Sequence, residues 1–399
     1  MHRYLAGYVV WFAIFVQLIL QSCSNAEPTQ YIQSSKKIQD ELPHYKLISG
    51  KSKTIGDITK LAQSVKKIRL PEKVAQKLGY IEHFYVTKEQ DIILVDEEAA
   101  TITRINQAGE IVWQIFSRSD DFRYFTHFDE CAFDPFNERV LVHDTKEIFI
   151  FDFSGNPVSV KEQPAFDYHQ LAVAGKNDLI YSAQGLRNTH VTNVSHQLFW
   201  VRDNLDPVGF VNPVPYAPEY NFVGGMPQFT RFGENLLYHA TLRDAFYEID
   251  PPNVVPVFTF DLPGAITLEE LMKKQNLKDK LGFLFDNNYP VPNSIGADET
   301  TLCVTYRYSR SAFLGILDRK TNEWLVNNEI LRYNDLVFQA PLLENRRHLL
   351  QIMPDYKVEH YAKLASGASA TDVEWQEELT RLDEAYDDTG GKTIFLIEL

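Results

Sequence analysis

An all-β fold, a six-bladed β-propeller of four-stranded antiparallel blades, is what this sequence predicts, and three observations predict it. Residues 93–112, ILVDEEAATITRINQAGEIV, and residues 140–158, VLVHDTKEIFIFDFSGNPV, write one pattern twice: an apolar run ending at Asp, a short turn, an alternating run and a glycine-marked turn. Gly109 and Gly155 hold the same place in the two copies, at a spacing of about 46 residues, close to the period of one propeller blade. Finally, the last apparent blade lacks two strands, and the two ends of the chain offer strand-like segments that could replace them.

Taken in chain order, residues 1–22 read as a lipoprotein signal peptide. His2 and Arg3 precede an apolar run from Leu5 to Leu20, and Leu20-Gln21-Ser22-Cys23 resembles the lipobox of bacterial lipoproteins. That resemblance makes Cys23 the lipid-attachment residue and the membrane a partner through the N-terminal lipid, since each buried methylene contributes about 0.8 kcal/mol. It also implies a place at the cell envelope, on the periplasmic or surface side of the outer membrane. Residues 23–45 are polar, aperiodic and carry two prolines, which describes a flexible tether. The propeller is expected over 46–399.

Alternation bounded by Gly, Asn, Asp and Pro marks strands. Residues 80–118 contain four such runs, IEHFYV, DIILVD, TITRIN and EIVWQIF; residues 126–162 contain four more, FDECAF, RVLVHD, EIFIFDF and NPVSVKE. More eroded copies cover 168–211, 228–262 and 293–326. A sixth begins at 338 with FQAPLLENRRHLLQIM. IFLIEL at 394–399 serves as its third strand and SVKKIRL at 64–70 as its fourth. Pairing the two chain ends in this way closes the ring and removes the unpaired edges that an open array would expose. Two helical inserts interrupt the strands, one opening at Thr267-Leu-Glu-Glu270 and one at Thr371-Asp-Val-Glu374, both with capping-box spacing.

Composition narrows the function classes. With 44% hydrophobic and 23% charged residues the chain can bury a substantial core. Its formal net charge of -15 repels polyanions, so no nucleic-acid partner is expected. The sequence holds no Gly-rich phosphate loop, Gly-x-Ser-x-Gly elbow, His-Glu-x-x-His or Cys-x-x-Cys, which leaves P-loop, α/β-hydrolase, zincin and thioredoxin chemistry without support. Cys131 and Cys303 fall on the second and fifth blades, facing across the ring beyond the roughly 7 Å reach of a disulfide, so two free, buried thiols are expected.

The lipobox, the ILVDEEAATITRINQAGEIV frame, the insert between the fourth and fifth blades and the ending EAYDDTGGKTIFLIEL together resemble the lipid-anchored six-bladed propeller proteins of the Bacteroidota type, related to NHL-repeat propellers. The resemblance implies a fold and a compartment and carries no established activity. One departure is local: where that family often has a Gly-Pro-Gly-Glu-Tyr-like loop, residues 117–124 read SRSDDFRY.

In a propeller, the loops entering the innermost strands converge on the channel mouth. Here they carry Glu82 with His83, then His127, Asp129 and Glu130, then His169, Gln228, Asn293 and Gln339. Carboxylate, imidazole and amide groups from separate blades could coordinate Ca2+ or another divalent cation, with Glu82, Asp129 and Asn293 as the ligands; the alternative is a wet channel with no cofactor. Aromatic and cationic residues adjoin, including Tyr216, Tyr220, Tyr289, Tyr306 and Arg307, and could stack on a sugar or grip a peptide. Blade-to-blade packing is the competing role for these rings. The expected function is a monomeric, non-catalytic binding or scaffold module for a glycan, peptide or partner protein. The alternative is a lactonase-like, metal-dependent hydrolase or lyase at the same mouth.

Overall fold

Strand follows strand along nearly all of the chain described by the computed structural model, which covers residues 42–46, most of 56–183, the strands between 198 and 359, and 391–399. Helix among these residues is confined to Glu72–Ala75 and a few residues after Pro354. Both expected helical inserts lie almost wholly outside the described residues, as do the signal segment with Cys23 and most of the tether.

The two written-out repeats fold as read. The first sheet contains His83–Val86, Ile92–Asp96, Thr101–Ile105 and Ile111–Phe116, antiparallel and in sequence order. The second contains Glu130–Asp134, Arg139–His143, Glu147–Asp152 and Pro157–Glu162 in the same arrangement. A third follows with Gln170–Gly175, Asp178–Ser182, Leu198–Arg202 and Val208–Gly209.

The glycine turns explain why the sequence repeats. Gly109 and Gly155 sit at φ +81° and +85°, a region that L side chains rarely enter. In the first turn the Asn106 side chain accepts from the backbone N–H of Ala108 and Glu110; in the second, Asp152 accepts from Ser154 and Asn156. Each turn also abuts the sheet before it. A Cβ on Gly109 would stand 2.4 Å from the backbone oxygen of Arg69, and one on Gly155 would stand 2.8 Å from the Trp113 ring. Asp318 builds a related turn that ends with Asn322 at φ +58°.

The fourth and fifth strand sets belong to one nine-stranded sheet. Phe229–Phe232, Asn235–His239, Ala245–Asp250 and Asn253–Asp261 form one antiparallel group, and Val291–Ala297, Thr301–Tyr308, Ser311–Asp318 and Glu323–Asn328 the other. A single parallel bridge, Phe232 to Ala297, joins their first strands. His44–Lys46 adds a parallel strand beside Asn253–Asp261, so the chain enters the fold slightly before the boundary expected at residue 46. The physical reason is Tyr45, which is buried with its ring edge-on to Phe258 at 5.9 Å.

The chain ends meet as the sequence suggests. Leu342–Glu344, His348–Pro354, Lys392–Glu398 and Ser64–Leu70 form one four-stranded antiparallel sheet, with the C-terminal strand third and the N-terminal strand fourth. Its first strand starts later than expected, because Leu336–Gln339 pairs instead with Ile330–Tyr333 in a small sheet completed by Gly56–Asp57. No described sheet closes on itself.

Packing follows from strands whose two faces are both apolar. All five residues of Ile92–Asp96 are buried. Ile92 and Leu94 join Ile68, Leu70, Ile394 and Leu396 of the terminal sheet; the alternate residues Ile93 and Val95 join Val140, Val142 and Phe151 of the second sheet. Period-two alternation therefore gives one strand two cores. The second sheet passes Leu141, Ile148 and Ile150 to the third, and the third passes Ile180 and Leu198 to Leu236 and Tyr238. Leu314 and Ile316 pack against Leu349, Phe395 and Ile397 of the terminal sheet. Cys131 and Cys303 are free and buried in two different clusters, as expected.

Candidate functional site: a carboxylate and imidazole cluster between the first two sheets

The register places the start of each first strand beside the end of the second. His83 pairs with Val95, Glu130 with His143, and Gln170 with Ser182. Polar residues flanking these strand ends therefore gather at one end of three consecutive sheets.

In the first sheet this end is tightly built. The Asp96 carboxylate, buried at the strand terminus, accepts from the backbone N–H of Gly79 and of Ala99, both at 2.8 Å. A Cβ on Gly79 would stand 2.4 Å from that carboxylate, which is why glycine occupies the position. The Glu82 N–H donates to the Val95 carbonyl at 3.1 Å, and the Glu82 carboxylate accepts from the Glu97 N–H at 2.9 Å. Glu82 thus fixes the backbone from which the Glu97 side chain departs.

Glu97 reaches His83, with its Oε1 3.4 Å from Nε2. From the neighbouring sheet Glu130 completes the group: one donor atom each from His83, Glu97 and Glu130 lie within 4.8 Å of one another. The side chains are partly buried, and Glu97 Oε1 is a buried atom without a hydrogen bond among the described residues. Burial pushes the Glu82 carboxyl above the ordinary carboxylate range; the Glu97 N–H opposes this, while the charges of Glu97 and Asp96 add to it.

The second and third sheets continue the polar end. The His143 ring lies 4.7 Å from that of Tyr168, and the Gln163 side-chain amide reaches both His143 Nε2 and the Asp144 carbonyl. The His169 N–H donates to Ser182 at 2.8 Å. Its Nε2 is buried without a hydrogen bond among the described residues, and burial lowers the pKa of the ring.

Of the residues expected at the mouth, the structure brings Glu82, His83 and Glu130 together and puts His169 two sheets away from the first at the same end. His127, Asp129, Gln228, Tyr216, Tyr220 and Tyr289 lie outside the described residues. Only the backbone of Asn293, Arg307 and Gln339 is described. Asn293 falls where the register shifts between Pro292 and Ser294; Arg307 pairs with Val291 and Ala312; Gln339 pairs with Ile330 in the small sheet. Tyr306, expected among the exposed aromatics, belongs to the core instead. It is buried and stacked on Phe313 at 5.3 Å, with its hydroxyl bonded to the Asn327 side chain. Thr301–Tyr308 lies between two neighbouring strands and is buried on both faces from Leu302 to Tyr306, so a ring at this position has no solvent to face.

Glu97 was not legible as a site residue, because EEAA reads only as an acidic turn. The repeat itself held the signal: aligning ILVDEE with VLVHDT sets Asp96-Glu97 over His143-Asp144, two polar pairs at the same strand end.

No protein-family model and no curated protein matches this chain. Among solved structures, the chain is similar to the β-propeller domain of Cps50 (Swd1) from Myceliophteria thermophila, at 10% identity over 66% of this chain and 88% of that one, with a TM-score of 0.38. A member of the DUF4221 family from Bacteroides vulgatus matches at 10% identity over 84% of this chain and 96% of that one, with a TM-score of 0.46. An exported protein of Bacteroides fragilis matches at 11% identity over 89% of this chain and 99% of that one, with a TM-score of 0.64. Across nearly the whole of both chains, the fold of the Bacteroides fragilis protein is shared.

Proposed function

We propose that this chain is a lipid-anchored, six-bladed β-propeller of the cell envelope, acting as a non-catalytic binding or scaffold module for a glycan, peptide or partner protein. The observation that carries the reading is the sheet built from both chain ends. Its Ile68, Leu70, Ile394 and Leu396 pack on Phe84, Ile92 and Leu94 of the first sheet, the contact needed to close a ring of sheets. A ring held at both ends of the chain gives a rigid platform, and its polar end gathers carboxylates and imidazoles from several sheets. The exported Bacteroides protein with the same fold supports an envelope location.

The anchor and the ligand are tested together. Cys23→Ser is expected to move the protein from the membrane fraction to the soluble fraction; unchanged fractionation removes the lipid from the proposal. On a glycan array, the full chain is expected to retain a defined set of sugars and to lose them in the Tyr216→Ala, Tyr220→Ala double variant. Equal retention by the double variant would show those rings to be structural.

A second reading, a metal-dependent hydrolase or lyase, is favoured by the convergence of His83, Glu97 and Glu130. It requires turnover of a lactone or a uronic-acid polymer that stops on chelation and returns with added cation.

A further inference from the structure

We propose that His83, Glu97 and Glu130 form a binding site for a first-row divalent cation, zinc or manganese, that ties the first sheet to the second. The donors come from three places in the sequence and two sheets: the start of His83–Val86, the residue after Ile92–Asp96, and the start of Glu130–Asp134. Only folding brings them within 4.8 Å.

Three features of the surroundings point to a cation. The His83 to Glu97 separation of 3.4 Å already matches the spacing of neighbouring donors around a tetrahedral ion, roughly 3–3.5 Å when each bond is about 2.0–2.1 Å. Glu97 Oε1 is buried and accepts no hydrogen bond among the described residues, an arrangement that costs free energy unless a positive group meets it. Glu97 and Glu130, from two different sheets, set two carboxyl groups beside one imidazole. The Glu82 and Asp96 carboxylates accept from backbone N–H groups, whereas Glu97 and Glu130 are the carboxylates with an oxygen within 4.8 Å of a His83 ring nitrogen.

The donor chemistry selects the ion. Calcium and magnesium favour sets made entirely of oxygen, whereas one imidazole nitrogen with two carboxylate oxygens suits zinc or manganese. Three protein donors leave at least one coordination position open, where the ion could hold water or an acidic group of a ligand. Glu82 acts as a positioning residue, holding the Glu97 backbone through the 2.9 Å hydrogen bond. The site stands whether or not any catalysis or glycan binding accompanies it.

Calorimetric titration of the full, chelator-stripped chain with zinc chloride and with manganese chloride tests the site. One ion per chain is expected, with calcium and magnesium binding at least tenfold more weakly. His83→Gln, Glu97→Gln and Glu130→Gln are each expected to weaken binding at least tenfold while circular dichroism stays unchanged. No saturable binding of either ion, or equal affinity in all three variants, would overturn the proposal. X-ray absorption on the zinc-loaded unmodified chain keeps the test open if a variant fails to fold. One imidazole with oxygen neighbours is expected, and a sulfur shell or an all-oxygen shell would assign the ion elsewhere.

Discussion

Ile68 and Ile394, drawn from opposite ends of the chain, stand directly across from one another in an antiparallel pair, and both are buried. Around them Ser64 donates to Glu398 at 3.0 Å, and Arg69 pairs with Asp355 at 3.0 Å. A sheet built in this way ties Ser64–Leu70 to Lys392–Glu398, so its loss releases both segments at once.

Ile394→Ala is therefore expected to cost about 2–5 kcal/mol, the range for truncating a fully buried aliphatic side chain. Equilibrium unfolding in guanidinium would register it as a lowered midpoint. A change below about 1 kcal/mol would mean that the terminal strand contributes little.

Gly109→Ala and Gly155→Ala each force a Cβ into a left-handed residue already in contact with the preceding sheet. Each is expected to destabilise by more than about 1 kcal/mol. Ala108→Gly, beside the first turn but without the close approach, serves as the comparison; equal losses for all three would refute a specific role for the two glycines.

Asp57 provides an acid-limb prediction. The Thr59 side chain first, then the Thr59 N–H at 2.9 Å and Arg332 at 2.9 Å, stabilise its carboxylate and lower its pKa from 3.8 to about 2, against the opposing effect of burial. A depressed folded pKa contributes stability above the unfolded value that is lost as pH falls through the folded one, here between about pH 4 and pH 2. The pair is half exposed, so Asp57→Asn is expected to cost only about 0.2–1 kcal/mol at neutral pH. Melting curves for the two proteins should converge as pH approaches 2; a gap that persists would contradict this.

Glu82 carries the opposite sign. Burial first, with nearby negative charge, raises its folded pKa, so the stability it permits at low pH is lost as pH rises through that value. In metal-free protein, Glu82→Gln keeps an oxygen for the Glu97 N–H and removes the buried charge. The variant is expected to melt above the unmodified protein at pH 7 and level with it below pH 4; a lower melting point at pH 7 would reverse the assignment.

Cys131 and Cys303 are expected to react with a thiol reagent only after unfolding, since each is sealed in a separate core cluster. Rapid labelling of either in the native protein would argue against these clusters.

Much of this architecture was legible in advance because strand alternation and turn chemistry are local. ILVD and VLVH each had to be strands, and Gly109 and Gly155 had to mark the same turn; the Asn106 and Asp152 side chains that hold the two turns appear only in the structure. Even the pairing of SVKKIRL with the C-terminal strand could be read, from an otherwise incomplete last blade. The inward turn of Tyr306 was less legible, because an aromatic residue beside arginine fits either a surface or a core until its strand neighbours are placed.

The sequence by itself determined the strands, the glycine turns, the complementary chain ends and the free cysteines, since each depends on a few adjacent residues or on a repeated period. Only the tertiary structure decided that Leu336–Gln339 pairs in a small sheet and not in the one that holds the C-terminal strand, and that Glu97 meets His83 and Glu130. Those outcomes depend on register and on which face of one sheet meets the next. Distance between side chains on different sheets is a property of packing, and no local pattern encodes it.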